Sequence, residues 1–357
     1  MGDILRREER TALRLRGLYA AMGYRPYKMG KFEEYDFYAA NKRFLQSGGV
    51  LTFTDTTGRL MALKPDVTLS IARGAAAGEG TLKVYYDESV YRAPDPQAGF
   101  QEITQAGLEC IGTVDAYAMG EVLYLAAESL RAISPVFALD VSDMGYVQSL
   151  LPELGLAGEG ASAALRSLGA RNVPELRALL DAVGAPAGPA DNLCRLAAAY
   201  APLSELLPQL SAAAVNGGMR AACASLEGVA QALRGFGCLD DVRLDLSITA
   251  DMEYYNGLVF KGYVQGAPGA VLSGGRYDAL MRKMGRPAGA IGFALYLNML
   301  EHLDGGDDAE DVDVQLLCDD TEDPCELAAR VRELRGAGRS VRVCRRAGGG
   351  EGAERDA

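Results

Sequence analysis

Strand-like segments fill two separate stretches of this 357-residue chain, and a block of short helical patterns lies between them. The segments VLTFTDTTGRLMAL and FQEITQAGLECIG alternate β-branched or apolar side chains with polar ones, as half-buried strands do. Residues 151–235 are instead crowded with Ala and Leu and punctuated by Gly and Pro, which is typical of short helices. Strand patterns then return in VRLDLSIT, LVFKGYV and AVLSGGRYDAL. Strands that do not alternate regularly with helices favour an α+β fold with a mainly antiparallel sheet.

The same patterns predict how the chain is organised. We expect a discontinuous core from residues 1–150 and 236–303, interrupted by a helical insertion at 151–235. After the acidic stretch GGDDAED, the segments DVQLLC, CELAARVRELRGAG and SVRVCRR predict a small β-α-β unit at 311–346. The last residues, 347–357, are rich in Gly and in charged residues, and we expect them to form a disordered tail.

Composition excludes several classes of function. The chain has 36 Lys and Arg against 48 Asp and Glu, and its formal net charge of −12 argues against a main role in binding nucleic acid or membranes. His302 is the single histidine, which excludes His-based catalytic triads and two-His metal sites. The seven cysteines are scattered without a CxxC pair, so we expect no metal site and mostly buried, reduced thiols in a cytoplasmic protein. A charged N-terminal segment and the lack of a long apolar run predict neither a signal peptide nor a membrane span.

Polar side chains recur in the predicted sheet at positions that a half-buried strand would direct to one face. They are Asp66, Thr68, Arg92, Gln105 and Glu109. Residues four apart on a strand share a face, so Gln105 and Glu109 should point into the same cavity. Carboxylates can bind an ammonium or an imidazole N–H, Arg can bind a carboxylate, and Tyr254 and Tyr255 can wall the pocket, so the group suits a zwitterionic ligand. The alternative is that these residues are solvent-facing sheet positions paired with one another.

A second cluster, Gly274-Gly275-Arg276-Tyr277-Asp278, follows a predicted strand. Its two glycines permit a positive φ or a close approach of the backbone to a ligand, and its arginine could bind an anion. The cluster lacks the GxGxxG of dinucleotide folds and the GK(S/T) of P-loops, so a structural turn is the favoured interpretation. Asp251 and Glu253 could be paired catalytic carboxylates, but nothing places a partner opposite them, and a solvated turn is favoured there too.

Five segments, in this order, resemble the motifs of the histidyl-tRNA synthetases, a family of class II aminoacyl-tRNA synthetases. ALKPDVTLSIAR resembles the family's LRP(E/D)xT segment, GFQEITQAGLE with the preceding YR resembles motif 2, and MEYYNGLVF resembles the histidine-specific DYYTGxVFE loop. SGGRYDAL resembles GGGRYDGL, and AIGFALYLNMLEHL resembles motif 3. The resemblance covers residues 3–303 and implies an antiparallel sheet flanked by helices, in a protein that is usually dimeric. The synthetases also carry a helical insertion where residues 151–235 lie.

The departures from the family pattern bear on activity. Aligning the synthetase segment RGLDYY on ADMEYY puts Ala250 at the arginine that promotes amino-acid activation. The motif 3 pattern GFAxGxER becomes GFALYLNM, with Tyr296 at the Gly, Asn298 at the Glu and Met299 at the Arg that contacts the ATP phosphates. Motif 2 keeps Arg92 but lacks the RxR run that follows it in active enzymes. Removing one preorganised electrostatic stabiliser typically costs a factor of about 10²–10³ in rate, so the resemblance implies that adenylation is lost.

By this resemblance, the chain retains the residues of the synthetase pocket that bind the amino acid. The retained residues are Asp66, Thr68, Arg92, Gln105, Glu109, Tyr254, Tyr255, Gly274 and Gly275. A synthetase-like chain that keeps these residues, lacks the adenylation arginines and ends in a short unit is similar to the regulatory subunits of ATP phosphoribosyltransferase. That resemblance implies a non-catalytic subunit that needs no cofactor and binds L-histidine as an effector. It also implies a homodimer within a hetero-oligomer that contains the short-form catalytic subunit and performs the first step of histidine biosynthesis.

By the same resemblance, Glu109 and Asp66 take the imidazole and the ammonium group of histidine, and Gln105 supports them. Arg92 then meets the ligand's carboxylate or an anion at an interface. Two other functions stay open. A functional histidyl-tRNA synthetase would catalyse histidine-dependent ATP–pyrophosphate exchange. A synthetase-like amino-acid-binding regulator would keep the pocket but have no transferase partner.

Overall fold

The computed structural model describes residues 6–42, 45, 49–75, 80–93, 99–249, 255, 257–300, 303, 312–319 and 322–345. Contacts within the chain separate a large unit, Glu8–Leu303, from a smaller unit that contains the C-terminal strands and helix. Several sequence expectations lie outside the described residues, namely those for Ala250, Asp251, Glu253, Tyr254, His302 and the tail 347–357.

Strands and helices mix without regular alternation, so the α+β class expected from the sequence is confirmed. The strands are β1 Arg25–Pro26, β2 Phe32–Glu34, β3 Thr52–Thr54, β4 Leu60–Leu63, β5 Leu82–Arg92, β6 Gln101–Gly112, β7 Phe137–Asp143, β8 Ala201–Pro202, β9 Val242–Leu244, β10 Leu258–Val264, β11 Leu272–Arg276, β12 Gly289–Tyr296, β13 Val314–Cys318 and β14 Val341–Arg345. The α-helices are α1 Arg7–Ala21, α2 Tyr35–Ala40, α3 Thr68–Gly74, α4 Ala116–Ile133, α5 Met144–Leu150, α6 Gly158–Gly169, α7 Val173–Ala182, α8 Ala187–Ala198, α9 Leu203–Ala212, α10 Gly217–Phe236, α11 Asp278–Lys283 and α12 Pro324–Gly336.

The main sheet of the large unit has the order β1-β5-β6-β12-β11-β10-β7-β9-β8. Its neighbouring strands are antiparallel except for β1 with β5 and β7 with β9, which are parallel. The register places Glu109 of β6, Gly292 of β12 and Gly275 of β11 side by side on one face. In the next row, Cys110 and Arg276 point to the opposite face because successive side chains of a strand alternate. The sheet therefore offers two distinct surfaces on which a site can be built.

Helix α4 packs on the face that carries Arg276, where Nη1 of Arg276 lies 4.0 Å from Sδ of Met119. The helix begins where the carboxylate of Asp115 accepts the N–H of Ala118 at 2.8 Å, which satisfies one unpaired donor of the first turn. Helix α10 runs close against α4, because a Cβ built on Gly120 would lie only 2.4 Å from Cβ of Ala232. A side chain at position 120 would force the two helices apart.

Helices α6 to α10 account for most of the stretch between β7 and β9. Their leucines are directed inward, and Leu176, Leu180, Leu193 and Leu210 are almost fully buried. These side chains belong to the same hydrophobic cluster as the residues of α4 and of the main sheet. The Ala- and Leu-rich composition thus builds a continuous core, in which small side chains let short helices approach one another.

The hairpin expected at Thr57-Gly58 is confirmed, because β3 and β4 pair antiparallel around this turn. One carboxylate oxygen of Asp55 accepts the N–H groups of Thr57 and Arg59 at 2.8 and 2.9 Å. Gly58 has a φ of 84°, a conformation that glycine adopts at little cost. Strands β2, β4 and β3 then form a separate three-stranded sheet.

Two local expectations are wrong. Asp66 and Thr68 do not lie on a strand, because Thr68 begins helix α3 and the Asp66 carboxylate accepts the N–H of Leu69 at 2.8 Å. This hydrogen bond satisfies a first-turn donor and favours a helix over an extended segment. The Gly274-Gly275 pair lies within strand β11 and not in a turn.

The C-terminal unit is a parallel pair of strands, β13 and β14, connected by α12, so the predicted β-α-β unit is confirmed. The helix starts at Pro324, a favourable first residue, and the preceding Asp323 accepts the N–H of Cys325 at 2.7 Å. Among the helices that the structure describes, none combines the length and the apolar character needed to cross a bilayer.

Candidate functional site

A buried cavity lies on the Glu109 face of the main sheet, where β5, β6, β11 and β12 meet the start of α3. About 370 Å³ of space free of protein atoms lies there, part of it open solvent, and side chains pack closely around the rest. The lining residues are Asp66, Thr68, Tyr86, Arg92, Gln105, Glu109, Tyr255, Ser273, Tyr277, Gly292, Phe293, Ala294 and Tyr296.

Glu109 stands at the centre of the cavity and is only 1% exposed. Oγ1 of Thr68 donates to one of its carboxyl oxygens at 2.6 Å, and the Tyr277 hydroxyl donates to the other at 2.6 Å. Gly292 leaves the room that this carboxyl needs, because a Cβ there would lie 1.8 Å from Oε2 of Glu109. Burial raises the pKa of Glu109 from 4.5 to about 8, against the lowering effect of its two hydroxyl donors. Near neutral pH the Glu109 carboxyl is therefore mostly protonated, unless a cation or a further hydrogen-bond donor binds beside it.

Asp66 and Arg92 form a buried ion pair beside the first turn of helix α3. Nη2 of Arg92 lies 3.2 Å from Oδ2 of Asp66, and Nε of Arg92 donates to the carbonyl of Pro65 at 2.7 Å. Both side chains are less than a tenth exposed. Burial raises the pKa of Asp66, and the Arg92 guanidinium partly opposes that shift. The pair holds one negative and one positive group at fixed positions beside Glu109.

Gln105 lies on the same face of β6 as Glu109, four residues away, and is 2% exposed. Its Nε2 atom is buried and finds no hydrogen-bond partner among the described residues. Leaving such a donor unpaired costs about 1–3 kcal/mol. An amide donor held in this way at the wall of a polar cavity is suited to a ligand that brings an acceptor.

Tyrosine side chains form one wall of the cavity, and a glycine of β11 lets one of them pack close to the sheet. Tyr255 packs directly over Gly275, where an added Cβ would lie 2.6 Å from the tyrosine ring. Tyr86 and Tyr296 complete the aromatic wall. Burial raises the pKa of each of these three tyrosines, so all three stay neutral hydroxyl groups in the physiological range.

The structure brings most of the sequence-predicted residues together in this cavity. Those that line it are Asp66, Thr68, Arg92, Gln105, Glu109 and Tyr255. Gly274 and Gly275 do not line it but lie in β11 beneath it, where side chains would collide with Phe260, Phe293 and Tyr255. The prediction for Tyr254 lies outside the described residues.

Several lining residues were missed by reasoning from the sequence. They are Tyr86, Ser273, Tyr277, Gly292, Phe293, Ala294 and Tyr296. The period-two spacing of positions 292, 294 and 296 on β12 is the signal that could have identified three of them. Tyr277 directly follows β11 and precedes α11, in a segment where the sequence favours a turn.

The chain was also compared with known proteins. A model of the histidyl-tRNA synthetase family matches residues 3–300. The ATP phosphoribosyltransferase regulatory subunit of Moorella thermoacetica is 32% identical over 293 residues, which cover 80% of this chain and 75% of that protein.

Solved structures resemble the chain as well. An ATP phosphoribosyltransferase regulatory subunit/histidyl-tRNA synthetase from Bacillus halodurans matches with a TM-score of 0.76 and 25% identity, covering 98% of this chain and 93% of that one. An ATP phosphoribosyl transferase complex from Thermotoga maritima matches in fold, with a TM-score of 0.63, 18% identity and coverage of 83% and 98%. The expected class II synthetase-like architecture is thereby confirmed.

Proposed function

The chain belongs to the histidyl-tRNA synthetase family and is 32% identical to an ATP phosphoribosyltransferase regulatory subunit, and on this premise we propose that it makes ATP phosphoribosyltransferase responsive to histidine. It acts as a regulatory subunit in the first step of histidine biosynthesis. The observation that carries the proposal is the buried cavity in which two carboxyl groups, one guanidinium and one unpaired amide donor converge.

Free histidine offers groups that complement this cavity. Its ammonium suits Asp66, its carboxylate suits Arg92, and the Nε2 of Gln105 can donate to a ligand oxygen or nitrogen. Glu109 is suited to the imidazole because that ring carries one N–H donor and one bare nitrogen. A carboxyl group whose pKa is about 8 can donate to the bare nitrogen or accept from the N–H, according to its protonation.

We assign the chain a non-catalytic role because the motif 3 segment places a large aromatic side chain and a thioether where the synthetases have a glycine and an arginine. Tyr296 lines the cavity and makes a hydrogen bond with Arg92, so the aromatic side chain occupies space next to the guanidinium. Met299 packs against the main hydrophobic core. A thioether there cannot stabilise the charge that builds up on a transferring phosphoryl group. The second replacement, Ala250, lies outside the described residues.

The partner that we propose is the short-form catalytic subunit of ATP phosphoribosyltransferase, with which the chain forms a hetero-oligomer in the cytoplasm. The Thermotoga maritima structure that shares this fold is described as a complex, which supports an assembly of this kind. We further propose that the chain is a homodimer within that assembly, as the family resemblance implies. Light scattering on the purified chain measures this directly.

Regulation would then be a linkage between histidine binding and the arrangement of the complex. Histidine shifts the equilibrium between an active and an inhibited arrangement only by its difference in affinity for the two. Such coupling free energies are typically about 1–3 kcal/mol, which corresponds to a change of about 5–150-fold in the equilibrium. A buried pocket with preorganised charges is suited to this role because its geometry is sensitive to small displacements of the surrounding strands.

Co-expression with a short-form catalytic subunit tests the proposal. We expect the two chains to co-purify and histidine to lower the rate of the complex. Glu109→Gln should still co-purify but lose the histidine response, whereas the matched control Glu102→Gln, an exposed residue on the same strand, should keep it. Histidine binding without any association would instead favour the amino-acid-binding regulator that has no transferase partner. Failure of both binding and association would overturn the proposal.

A further inference from the structure

A second cavity lies on the opposite face of the main sheet, between β10, β11 and the helices α5 and α10. It has about 600 Å³ of space free of protein atoms, part of which is open solvent. The groups that give it chemical character are Asp143, Ser149, Ser225, Arg276 and Asp278. No part of the proposed histidine site uses these side chains.

Among the residues that the structure describes, Arg276 is held mainly through one edge of its guanidinium. Its Nε donates to Oδ2 of Asp278 at 2.9 Å, and the other oxygen of Asp278 accepts the N–H of Ala290 at 3.0 Å. Among the described residues, its Nη1 makes only a weak contact with Sδ of Met119, at 4.0 Å. A guanidinium fixed through Nε can receive a carboxylate on its Nη atoms with little loss of side-chain freedom.

Asp143 supplies a buried carboxylate to the same cavity. It is 4% exposed, and its Oδ1 accepts the N–H of Tyr146 at 3.1 Å, which leaves acceptor capacity on the carboxylate. Burial raises its pKa to about 6, against the lowering effect of the Tyr146 and Gly145 N–H groups and of the Arg276 guanidinium. The ammonium of a ligand can bind the acceptor sites that remain on this carboxylate.

Small side chains on α10 keep the cavity open. Gly218, Ala221 and Ala222 face it, and larger residues at these positions would fill it. Gly218 also lets α10 approach α5 closely, since a Cβ there would lie 2.2 Å from Oγ of Ser149. The serine hydroxyls at positions 149 and 225 add groups that can both donate and accept.

The balance of charge selects the kind of ligand. Two carboxylates face one guanidinium, so a phosphate-rich ligand would meet net repulsion, and an apolar ligand would bury these charges unpaired. We propose that this cavity is a second small-molecule site that binds a zwitterion of the α-amino acid class. The carboxylate of the ligand lies on Arg276 and its ammonium on Asp143, with the side chain along the small residues of α10.

The segment Arg276-Tyr277-Asp278 lines both cavities. Arg276 and Asp278 face the second cavity, whereas the Tyr277 hydroxyl between them donates to Glu109 in the first. A ligand that displaces Arg276 or Asp278 thus acts on the group that holds Glu109. The second site is placed to modulate the first.

A pair of substitutions on α10 tests the second site. Ala221 is exposed and lines the cavity mouth, whereas Ala224 is exposed on the same helix and does not line the cavity. Each common L-amino acid is titrated by calorimetry into the full chain carrying Glu109→Gln, so that the proposed binding of histidine in the first pocket is removed. We expect one amino acid to bind with one-to-one stoichiometry. Ala221→Leu should raise the Kd of that amino acid by at least about tenfold, whereas Ala224→Leu should leave the Kd unchanged.

Two results would overturn the proposal. One is that no amino acid binds the Glu109→Gln chain at millimolar concentration. The other is that Ala221→Leu and Ala224→Leu bind the amino acid equally well. Both results are independent of whether histidine binds the first pocket, because the comparison of Ala221→Leu with Ala224→Leu reports only on the second cavity.

Discussion

Replacing Glu109 with Gln keeps the shape of the side chain and removes its ability to ionise. In the parent protein the carboxyl is 1% exposed and its pKa rises from 4.5 to about 8 because burial disfavours the charged form. The amide of Gln can still accept a hydrogen bond from one of the two hydroxyls that contact position 109 and donate to the other. We therefore expect the ligand-free Glu109→Gln protein to be more stable than the parent near neutral pH.

The sign and the size of this difference in unfolding free energy follow from the shift in the pKa of Glu109. Below pH 4.5 the carboxyl is protonated in both the folded and the unfolded chain. Between pH 4.5 and 8 the folded protein holds a proton that the unfolded chain has released, so the free energy of unfolding falls as the pH rises. At 1.36 kcal/mol per pH unit, the loss amounts to about 3 kcal/mol at pH 7. The Gln variant does not suffer this loss.

Unfolding by guanidinium chloride, followed by circular dichroism at several pH values between 5 and 8, measures the effect. The gap in unfolding free energy between Glu109→Gln and the parent should widen as the pH rises. Glu102→Gln is the matched control, because it makes the same chemical change at an exposed position of the same strand. A gap that is the same at every pH, or equal for the two variants, would show that Glu109 is not the buried, proton-holding group inferred from the structure.

Three further predictions test other parts of the site. Gly292→Ala should lower stability by about 1–3 kcal/mol and abolish histidine binding in calorimetry, because the new Cβ would lie 1.8 Å from Oε2 of Glu109; Gly235→Ala, with no neighbour within 4 Å, should do neither. Lys64→Met should cost about 3–5 kcal/mol in chemical unfolding, since the Lys64–Glu88 pair at 2.5 Å is buried, and adding Glu88→Met should recover most of that loss. The purified chain should show no histidine-dependent ATP–pyrophosphate exchange, and exchange at a synthetase-like rate would identify it as a functional enzyme.

The parts of the site that follow from local sequence could be predicted. Gln105 and Glu109 share a face because alternation along one strand depends on neither its partners nor its register. The β3–β4 turn could be predicted too, since Asp55 and Gly58 determine it within a few residues. These features need no knowledge of distant segments.

Other parts depend on how distant strands pair. Gly292 faces Glu109 only because β12 is inserted between β6 and β11, and this order results from long-range packing. Tyr277 reaches the cavity for the same reason. The strand expected at Asp66 and Thr68 is wrong because a side-chain hydrogen bond to Leu69 starts a helix, a choice that the apolar pattern does not encode.

The central claim is that the Glu109 cavity binds histidine and thereby controls a catalytic partner. The most direct measurement is the rate of phosphoribosyl transfer to ATP by a short-form catalytic subunit in complex with this chain, as histidine is titrated. We predict that the rate falls with histidine for the parent complex and for Glu102→Gln, and that Glu109→Gln gives an assembled, active complex whose rate does not change. A rate that responds equally to histidine in the Glu109→Gln complex, or that never responds in the parent complex, would contradict the claim.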